Sequence, residues 1–239
     1  ILEGFGNAGI TINLGYMITI SGNNIITDVP NVVGATGRIG ISLGPVNAVI
    51  VEGNSILGIT NSGNSGIKIS TGGPNNVTIS NNIVTSHVTS GLAYGIYVGD
   101  AASDCLVSNN VLINLRSASI FLYNNCDNNT VTANKICGGP KGIWLVTDAD
   151  DNFISGNDIK DCSTAAIVIA AATEANNVIQ NNDLRGNTAA ITNAGTSSII
   201  KYNVGFVTEN SVSGANTTAT TAVINHGLAA AATYVWCSF

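Results

Sequence analysis

Three aspartates that follow apolar segments are the residues with which this chain could carry out acid–base chemistry: Asp100, Asp148 and Asp150. Glycoside hydrolysis uses two carboxylates about 5–10 Å apart, and a polysaccharide lyase needs a base beside a cation that neutralises the substrate. Arg116 and Lys141 are the candidate cations. The same aspartates also stand in turn sequences, where a carboxylate can cap backbone amides without doing chemistry. The sequence therefore leaves a catalytic and a structural role open.

Aromatic side chains form a second candidate site, because they recur between aliphatic residues in successive apolar segments. Tyr97, Phe121 and Trp144 each stand between two such residues, and Tyr123 follows two positions after Phe121. In a strand with one buried face the intervening residue points outward. We therefore expect an exposed aromatic strip, with Lys68 in the equivalent position of the preceding segment. Contiguous exposed apolar surface marks an interaction site, and three interpretations compete: a polysaccharide-binding groove, a subunit interface, and a surface covered by the chain's own loops or tail.

A calcium site is a further hypothesis, since Asp148, Asp150 and Asp151 could supply oxygen ligands. The spacing of the cysteines matches no zinc motif, and the sequence predicts no cofactor. His87 is the single histidine of the repetitive part of the chain. It lies in a long insertion at residues 85–94, which favours a plain loop residue over a catalytic base.

The cysteines favour structural roles. They are Cys105, Cys126, Cys137, Cys162 and Cys237. Cys105 occupies an inward position of the repeat, which is typical of a small buried core residue. Cys137 and Cys162 fall on neighbouring repeats and could form a disulfide in a secreted protein, a pairing that the sequence leaves open.

These candidate residues belong to a repeat built around asparagine. Each anchor asparagine has a β-branched or aliphatic residue three positions earlier, and all but the last have another two positions later. The anchors are Asn23, Asn54, Asn82, Asn110, Asn134, Asn157, Asn182 and Asn203. Their short amides tolerate a left-handed backbone and can hydrogen-bond to the next turn of chain. At a period of roughly 20–30 residues no unit buries its apolar face alone, so the sequence predicts a solenoid.

Two further columns support the same period. Strand sequences with alternating apolar residues lie between the anchors, at residues 41–43, 67–69, 96–98, 120–122, 143–145, 167–169 and, more weakly, 191–192. An Asn or Asp stands six residues before the anchor in the middle units, at Asn76, Asp104, Asn128, Asp151 and Asn176. The anchor pattern also fits a leucine-rich repeat. The apolar positions are Ile and Val, however, and the connecting segments disfavour helix, so a parallel β-helix is predicted.

The coil sequence VTISNNIV at residues 77–84 resembles the pectate-lyase-like family of single-stranded right-handed parallel β-helix proteins. The resemblance extends over residues 10–204 and implies an all-β fold of about eight coils. The family includes polysaccharide lyases, polygalacturonases, epimerases, phage tailspikes, adhesins and periplasmic accessory proteins, so the fold does not choose an activity. This sequence lacks the Gly-His-Gly and Arg-Ile-Lys of polygalacturonases and the Asp-Pro-His-Asp of epimerases. The resemblance therefore favours a binding protein over an enzyme.

The repeat predicts a β-helix domain over residues 1–204, after which the composition changes. Residues 205–220 are rich in Ser, Gly, Asn and Thr and indicate a linker. Residues 221–239 indicate two strands around an Ala-rich turn and are similar to small β modules that follow β-helices in phage tail and secreted repeat proteins. Two strands alone cannot hold a core. We therefore expect this segment, as part of a truncated oligomerisation module, to pack on the rod or to intertwine with other copies.

Charge and hydropathy limit the partners. The chain has 8 basic and 14 acidic residues, and charged residues make up 9% of it. No basic cluster is present to follow phosphates, which disfavours a nucleic-acid partner. The sequence contains no apolar run of about eighteen residues, the length that would predict insertion into a membrane. Its first residues lack the charged region of a signal peptide.

The sequence thus predicts an extracellular, cell-surface or virion rod that binds a polysaccharide or cell-surface glycan and assembles as a homo-oligomer, either a trimer or a filament. A tailspike, a fibre and an adhesin are the models for this function. One alternative is a polysaccharide lyase or glycoside hydrolase acting in a groove along the β-helix. The other is a self-assembling filament subunit, which the uncapped first coil and the sparsely charged surface would favour.

Overall fold

The computed structural model describes residues 2–3, 8–26, 39–58, 65–70, 72–86 and 92–206. Over these ranges the chain forms 25 strands and no helix, so it contains none that could cross a membrane. Every strand pairs in parallel with the equivalent strand of the next coil. The predicted all-β fold, a right-handed parallel β-helix, is confirmed.

The strands stack into three long sheets of eight, seven and eight strands, which the chain visits in turn as it winds. The first sheet contains β4 (Thr19–Ser21), β8 (Ile50–Glu52), β11 (Thr78–Ser80), β14 (Leu106–Ser108), β17 (Thr130–Thr132), β20 (Phe153–Ser155), β23 (Val178–Gln180) and β25 (Ile199–Lys201). The second contains β1 (Leu2–Glu3), β5 (Asn24–Ile26), β9 (Ser55–Gly58), β12 (Ile83–Ser86), β15 (Val111–Ile113), β18 (Lys135–Cys137) and β21 (Asp158–Lys160). The third contains β2 (Ala8–Ile12), β6 (Ile39–Leu43), β10 (Ser65–Ile69), β13 (Tyr94–Gly99), β16 (Ala118–Tyr123), β19 (Lys141–Val146), β22 (Ala165–Ile169) and β24 (Ile191–Asn193). A short pair, β3 (Gly15–Tyr16) and β7 (Val46–Asn47), lies between the third and first sheets in chain order.

Aliphatic side chains in register fill the interior. In the third sheet Ile67, Ile96, Ile120 and Ile143 are direct partners on successive strands, and all are fully buried. Each side chain covers its neighbours above and below, because a single coil has no core of its own. This is the physical reason why the period of the apolar positions could be recognised in the sequence.

The anchor asparagines form a continuous ladder between the first and second sheets. The backbone N–H and the side-chain Nδ2 of Asn54 both donate to Oδ1 of Asn82, at 3.0 Å and 2.9 Å. The Asn54 Nδ2 also donates to the Ile20 carbonyl of the preceding coil, at 3.0 Å. The same contacts recur from coil to coil up to Asn203. The ladder satisfies buried backbone groups that the turn would otherwise leave unpaired.

A second, shorter ladder lies at the corner between the third and first sheets. The predicted Asn/Asp column at this corner does adopt the left-handed backbone, with φ between 54° and 57° at Asn76, Asp104, Asn128, Asp151 and Asn176. The ladder itself, however, uses the next residue. Asn129, Asn152 and Asn177 connect neighbouring coils through their Oδ1 atoms, and Cys105 donates its backbone N–H to Asn129 at 3.0 Å.

Several sequence predictions fall beyond these ranges. Residues 207–239, which include most of the predicted linker and all of the C-terminal segment, lie outside the described residues, as do His87 and Cys237. Phe206, in the predicted linker, packs against the hydrophobic core.

Candidate functional site

Five aromatic rings lie together on the outer face of the third sheet. This aromatic cluster consists of Tyr94, Tyr97, Phe121, Tyr123 and Trp144. Tyr97, Phe121 and Trp144 are register partners on β13, β16 and β19, so they follow one another along the rod axis at about 4.8 Å. The structure thus brings together the aromatic residues of the predicted strip and adds Tyr94.

Phe121 is the centre of the cluster. Its ring stacks on Tyr94 at 4.6 Å and on Tyr123 at 5.5 Å, and it lies 4.8 Å from the tilted ring of Trp144. The Tyr97 ring meets it edge-on at 5.3 Å. Strand alternation predicts that Phe121 is exposed, but only 6% of it is accessible, because the outward-facing rings of three coils pack against one another. The other four rings are partly exposed.

The sequence pattern does not place Tyr94 in the predicted strip, because the alternation of buried and outward-facing residues breaks at the start of β13. Gly95 and Ile96 are both buried. A Cβ at Gly95 would lie 2.6 Å from the Ser119 carbonyl oxygen, so glycine is needed where the chain turns from the second sheet into the third. The residue before this glycine faces outward, and Lys141 stands in the same column as Tyr94. The Gly-Ile pair is the sequence signal that marks this column.

Two lysines bound the aromatic cluster. The Lys68 Nζ lies 4.9 Å from the centroid of the Tyr97 ring, and the Lys141 Nζ lies 4.0 Å from that of Trp144. Both distances are within the range of cation–π attraction. The indole Nε1 of Trp144 is buried and has no hydrogen-bond partner among the described residues. Burial, followed by the charge of Asp100, raises the pKa of Tyr97 above its usual range, so its hydroxyl is protonated at neutral pH and can donate a hydrogen bond.

Asp100 and Asp148 lie at the carboxyl-terminal edge of the cluster, two coils apart. Both have a left-handed backbone, with φ of 56° and 55°. Asn124 occupies the turn of the intervening coil, and its Nδ2 donates to Asp100 Oδ1 at 3.1 Å. Backbone pairing matches Asp100 to Asn124 and then to Thr147, so Asp148 stands one position further along the turn. These contacts describe turn residues, and catalysis by them stays a prediction.

Asp150 and Asp151 contribute to the neighbouring corner instead. The Asp150 Oδ1 accepts the backbone N–H of Ala175 at 2.7 Å, and its own N–H donates to Asp127 Oδ1 at 3.0 Å. Burial, together with the charges of Asp150, Asp151 and Asp148, raises the pKa of Asp127, against the lowering effect of its hydrogen bond to the Asp150 N–H. Within the described ranges no group of three or more His, Cys, Asp or Glu side chains could hold a metal ion. The proposed calcium ligands are therefore not assembled into a site.

Arg116 lines a pocket of about 280 Å³ at the corner between the second and third sheets. We call it the corner pocket; its walls are residues 114–116 of one coil, Gly139 and Pro140 of the next, and Asp161 and Ser163 of the third. Pro140 directly precedes Lys141, so the pocket adjoins the aromatic cluster. The sequence pattern marked Arg116 but not Asp161 or Ser163, because nothing in a turn sequence shows which neighbouring turns it will meet.

The four described cysteines are free thiols. Cys105, Cys126 and Cys162 are buried, and burial raises the pKa of these thiols to about 11, about 12 and about 12 respectively. The expectation that Cys105 is a buried core residue is confirmed. Cys137 and Cys162 are not bridged; the register partner of Cys137 is Lys160, two positions before Cys162.

Comparison with known proteins connects the chain to envelope β-helices. The family model described as "Periplasmic copper-binding protein (NosD)" matches residues 76–225, more than half of the chain. The crystal structure of the periplasmic alginate epimerase AlgG is 17% identical, with a TM-score of 0.53, over 71% of this chain and 43% of that one. A point mutant of AlgG is 14% identical, with a TM-score of 0.55, over 76% and 55%. The chain thus spans about half the length of these structures, and identities this low show a shared fold alone. No curated protein matches it significantly.

Proposed function

Because the chain belongs to the NosD family of periplasmic copper-binding proteins, we propose that it is a cell-envelope β-helix protein that binds a polysaccharide or cell-surface glycan on its third sheet. The aromatic cluster is the observation that carries this proposal. It places partly exposed Tyr97, Tyr123 and Trp144 on three neighbouring coils around a buried Phe121. Rings held in place by their neighbours offer contact area at little cost in conformational entropy.

The chemistry of the cluster suits a sugar chain. Pyranose rings have apolar C–H faces that can lie on aromatic surfaces, and hydroxyl groups that need hydrogen-bond partners. Tyr97, Tyr123 and Lys68 provide hydroxyl and ammonium groups at the margin of the apolar surface. The row from Tyr97 to Trp144 follows the rod axis, so we expect the glycan to lie across the strands and along the rod.

The location is supported at a coarse level. The family description and the AlgG structure both name the periplasm, which supports a place in the cell envelope. The finer assignments to a cell surface or a virion, and the comparison with a tailspike, fibre or adhesin, stay proposals. The similarity to an alginate epimerase also supports a carbohydrate ligand, at the level of the fold.

Copper enters the family description, but the described residues do not provide a site for it. They contain no cluster of three metal-ligating side chains. Soft thiolates are the ligands that favour Cu(I), and the thiols of Cys126 and Cys162 are held neutral by burial, with each pKa raised to about 12. The proposed function therefore includes no step through copper.

A polysaccharide-cleaving enzyme is the second candidate function. Its support is the position of Asp100 and Asp148, which stand at one edge of the aromatic cluster on coils about 10 Å apart. If this function is correct, Asp148→Asn should abolish cleavage of a polymer that the protein retains. Unchanged cleavage in Asp148→Asn, or no cleavage of any retained polymer, would remove this candidate.

Assembly is a separate part of the proposal. Large apolar side chains are exposed on the first coil, where Leu14, Tyr16 and Met17 are 76%, 73% and 84% accessible. Such a patch supports association with other copies. Light scattering after size exclusion would give the mass in solution. A trimer or polymer would support assembly, and a monomer at all concentrations would exclude it.

Trp144→Ala tests the binding function. We expect its retention in gels that contain the bound polysaccharide to fall about tenfold or more, since a stacked aromatic side chain dominates such an interface. Phe153→Ala is the matched control, because Phe153 is an outward-facing aromatic residue of the first sheet. Far-UV circular dichroism and the melting temperature would show that both variants fold. Equal retention of Trp144→Ala and the natural protein would overturn the proposal.

A further inference from the structure

The corner pocket contains polar side chains that the rest of the described protein leaves without partners. The Nε of Arg116 is buried and has no hydrogen bond. The side chains of Asn114 and Ser163 make no hydrogen bond with any described residue, and the carboxylate of Asp161 accepts only the weak S–H donor of Cys137, at 3.6 Å. Buried polar groups are normally paired. Of these groups only the Arg116 Nε is buried, whereas Asn114 is half-buried and Asp161 and Ser163 are exposed. The Arg116 Nε is therefore the atom that indicates a ligand or water supplying a missing bond.

The pocket also holds one cation and one anion that do not pair with each other. In the described part of the chain the ion pairs are Lys160 with Asp158 and Arg185 with Asp183, and neither includes Arg116 or Asp161. Both residues line the same pocket of about 280 Å³. A pocket with this pair of charges repels a pure anion from its Asp161 side and a pure cation from its Arg116 side.

Two glycines let the chain pass close to one wall of the pocket. Gly138 and Gly139 have φ of 76° and 92°, a conformation that other residues adopt at a cost. A Cβ at Gly138 would lie 2.4 Å from Oδ1 of Asn114, and one at Gly139 would lie 2.2 Å from the Leu115 carbonyl oxygen. Any larger residue would therefore push into the wall formed by residues 114–116.

We propose that the corner pocket binds a small zwitterion, that is, a group carrying an oxyanion and an ammonium a few bonds apart. The oxyanion binds the guanidinium of Arg116, which is suited to carboxylate and phosphate oxygens, and the ammonium binds Asp161. Asn114 and Ser163 hydrogen-bond to the remaining polar atoms, and Leu115 and Pro140 contact the connecting carbon atoms. This inference does not depend on glycan binding by the aromatic cluster.

Three probes of matched size separate the charge requirements: L-alanine, which carries both charges, propionate, which carries the anion only, and ethylamine, which carries the cation only. Each is titrated into the ¹⁵N-labelled full chain while the amide signals of Gly139, Asp161 and Ser163 are followed by NMR. We expect L-alanine to shift these signals in a saturable way and to bind about tenfold or more tightly than either of the others. No saturable shift with L-alanine, or equal affinity for propionate, would overturn the proposal.

Arg116→Gln and Asp161→Asn test the two charges separately. Each should weaken the binding of L-alanine about tenfold or more, while Arg185→Gln, which breaks an exposed ion pair outside the pocket, should leave it unchanged. Unaltered amide spectra away from the pocket would show that the variants fold. Undiminished binding in both pocket variants would place the probe elsewhere and would also overturn the proposal. Retention on polysaccharide by the same variants reports on the aromatic cluster, so failure of one proposal does not mask the other.

Discussion

Asn82 and Asn110 lie on neighbouring coils, and a single oxygen of Asn110 accepts two hydrogen bonds from Asn82. The backbone N–H and the side-chain Nδ2 of Asn82 both donate to Asn110 Oδ1 at 3.0 Å. The Nδ2 of Asn110 in turn donates to the Ile79 carbonyl at 2.9 Å and to Asn134 Oδ1 at 3.0 Å. Both asparagines are fully buried. One side chain thus joins three successive coils, and its replacement affects all of them.

Asn110→Ala should lower the free energy of unfolding by about 3 kcal/mol or more, because it leaves several buried polar groups unpaired. Urea unfolding followed by circular dichroism measures this change. Asn24→Ala is the control: Asn24 is exposed on β5, and the substitution should change stability by less than about 0.5 kcal/mol. Equal effects of the two variants would show that the ladder does not stabilise the fold.

Ser119→Ala should leave stability unchanged or raise it by up to about 1 kcal/mol. The Ser119 hydroxyl is fully buried and has no hydrogen-bond partner in the part of the chain that the structure describes, so its removal relieves a desolvation cost. Ser103→Ala is the opposite case, since Ser103 Oγ donates to Asn75 Oδ1 at 2.7 Å, and it should lose about 1 kcal/mol. Melting temperatures compare the two, and a clear loss in Ser119→Ala would reveal a partner for its hydroxyl.

Glu174→Ala should destabilise the protein by about 2 kcal/mol. Glu174 is fully buried, and its carboxylate accepts hydrogen bonds from the backbone N–H of Ala171 and from Thr173 Oγ1. Thr173→Ala removes only the second of these bonds and should cost less. Chemical unfolding of the two variants gives the comparison. A larger effect of Thr173→Ala would contradict the role assigned to the carboxylate.

Gly139→Ala should cost more than Gly156→Ala, although both glycines have a positive φ, 92° and 67°. An added Cβ at Gly139 would lie 2.2 Å from the Leu115 carbonyl oxygen, whereas at Gly156 the nearest atom is at 3.7 Å. Backbone strain alone costs about 1 kcal/mol, so we expect about that for Gly156→Ala and at least twice as much for Gly139→Ala. The difference between the two variants in the free energy of unfolding measures the cost of the steric clash at Gly139.

Alkaline pH should destabilise the fold. Burial raises the pKa of the Cys126 and Cys162 thiols from 9.0 to about 12, so between these values the unfolded chain releases protons that the folded chain retains. Their contribution to stability is therefore complete below about pH 9 and is lost as the pH rises towards 12. Urea unfolding between pH 7 and about pH 10.5 should show this decrease, and Cys126→Ala should make it shallower. An unchanged slope in Cys126→Ala would contradict burial of the thiol.

The fold was largely readable from the sequence because the solenoid repeats the same local requirement in every coil. Ile79, Asn82 and Val84 occupy the same three positions as their counterparts in the other units, and each position has one neighbour above and one below. The ladder of anchor asparagines and the strands follow from that. Two details differ from the sequence prediction. The left-handed residue at the anchor corner is the one before the anchor, as at Asn81 and Asn109, and the second ladder uses Asn129 and its successors, one residue after the repeated Asn/Asp column.

The candidate sites were readable only in part. Alternation brought out Tyr97, Phe121 and Trp144, but burial of Phe121 depends on rings that three different coils place around it. Tyr94 joins them because Gly95 lets the chain turn inward beside Ser119.

Arg116 and Asp161 share a pocket although the sequence separates them by two turns of different length. Periodicity along the chain therefore specified which residues face inward and which stack. Contacts across coils decided which side chains the outer surface presents to a ligand. These contacts depend on the summed lengths of the intervening turns and on the packing of outward-facing side chains.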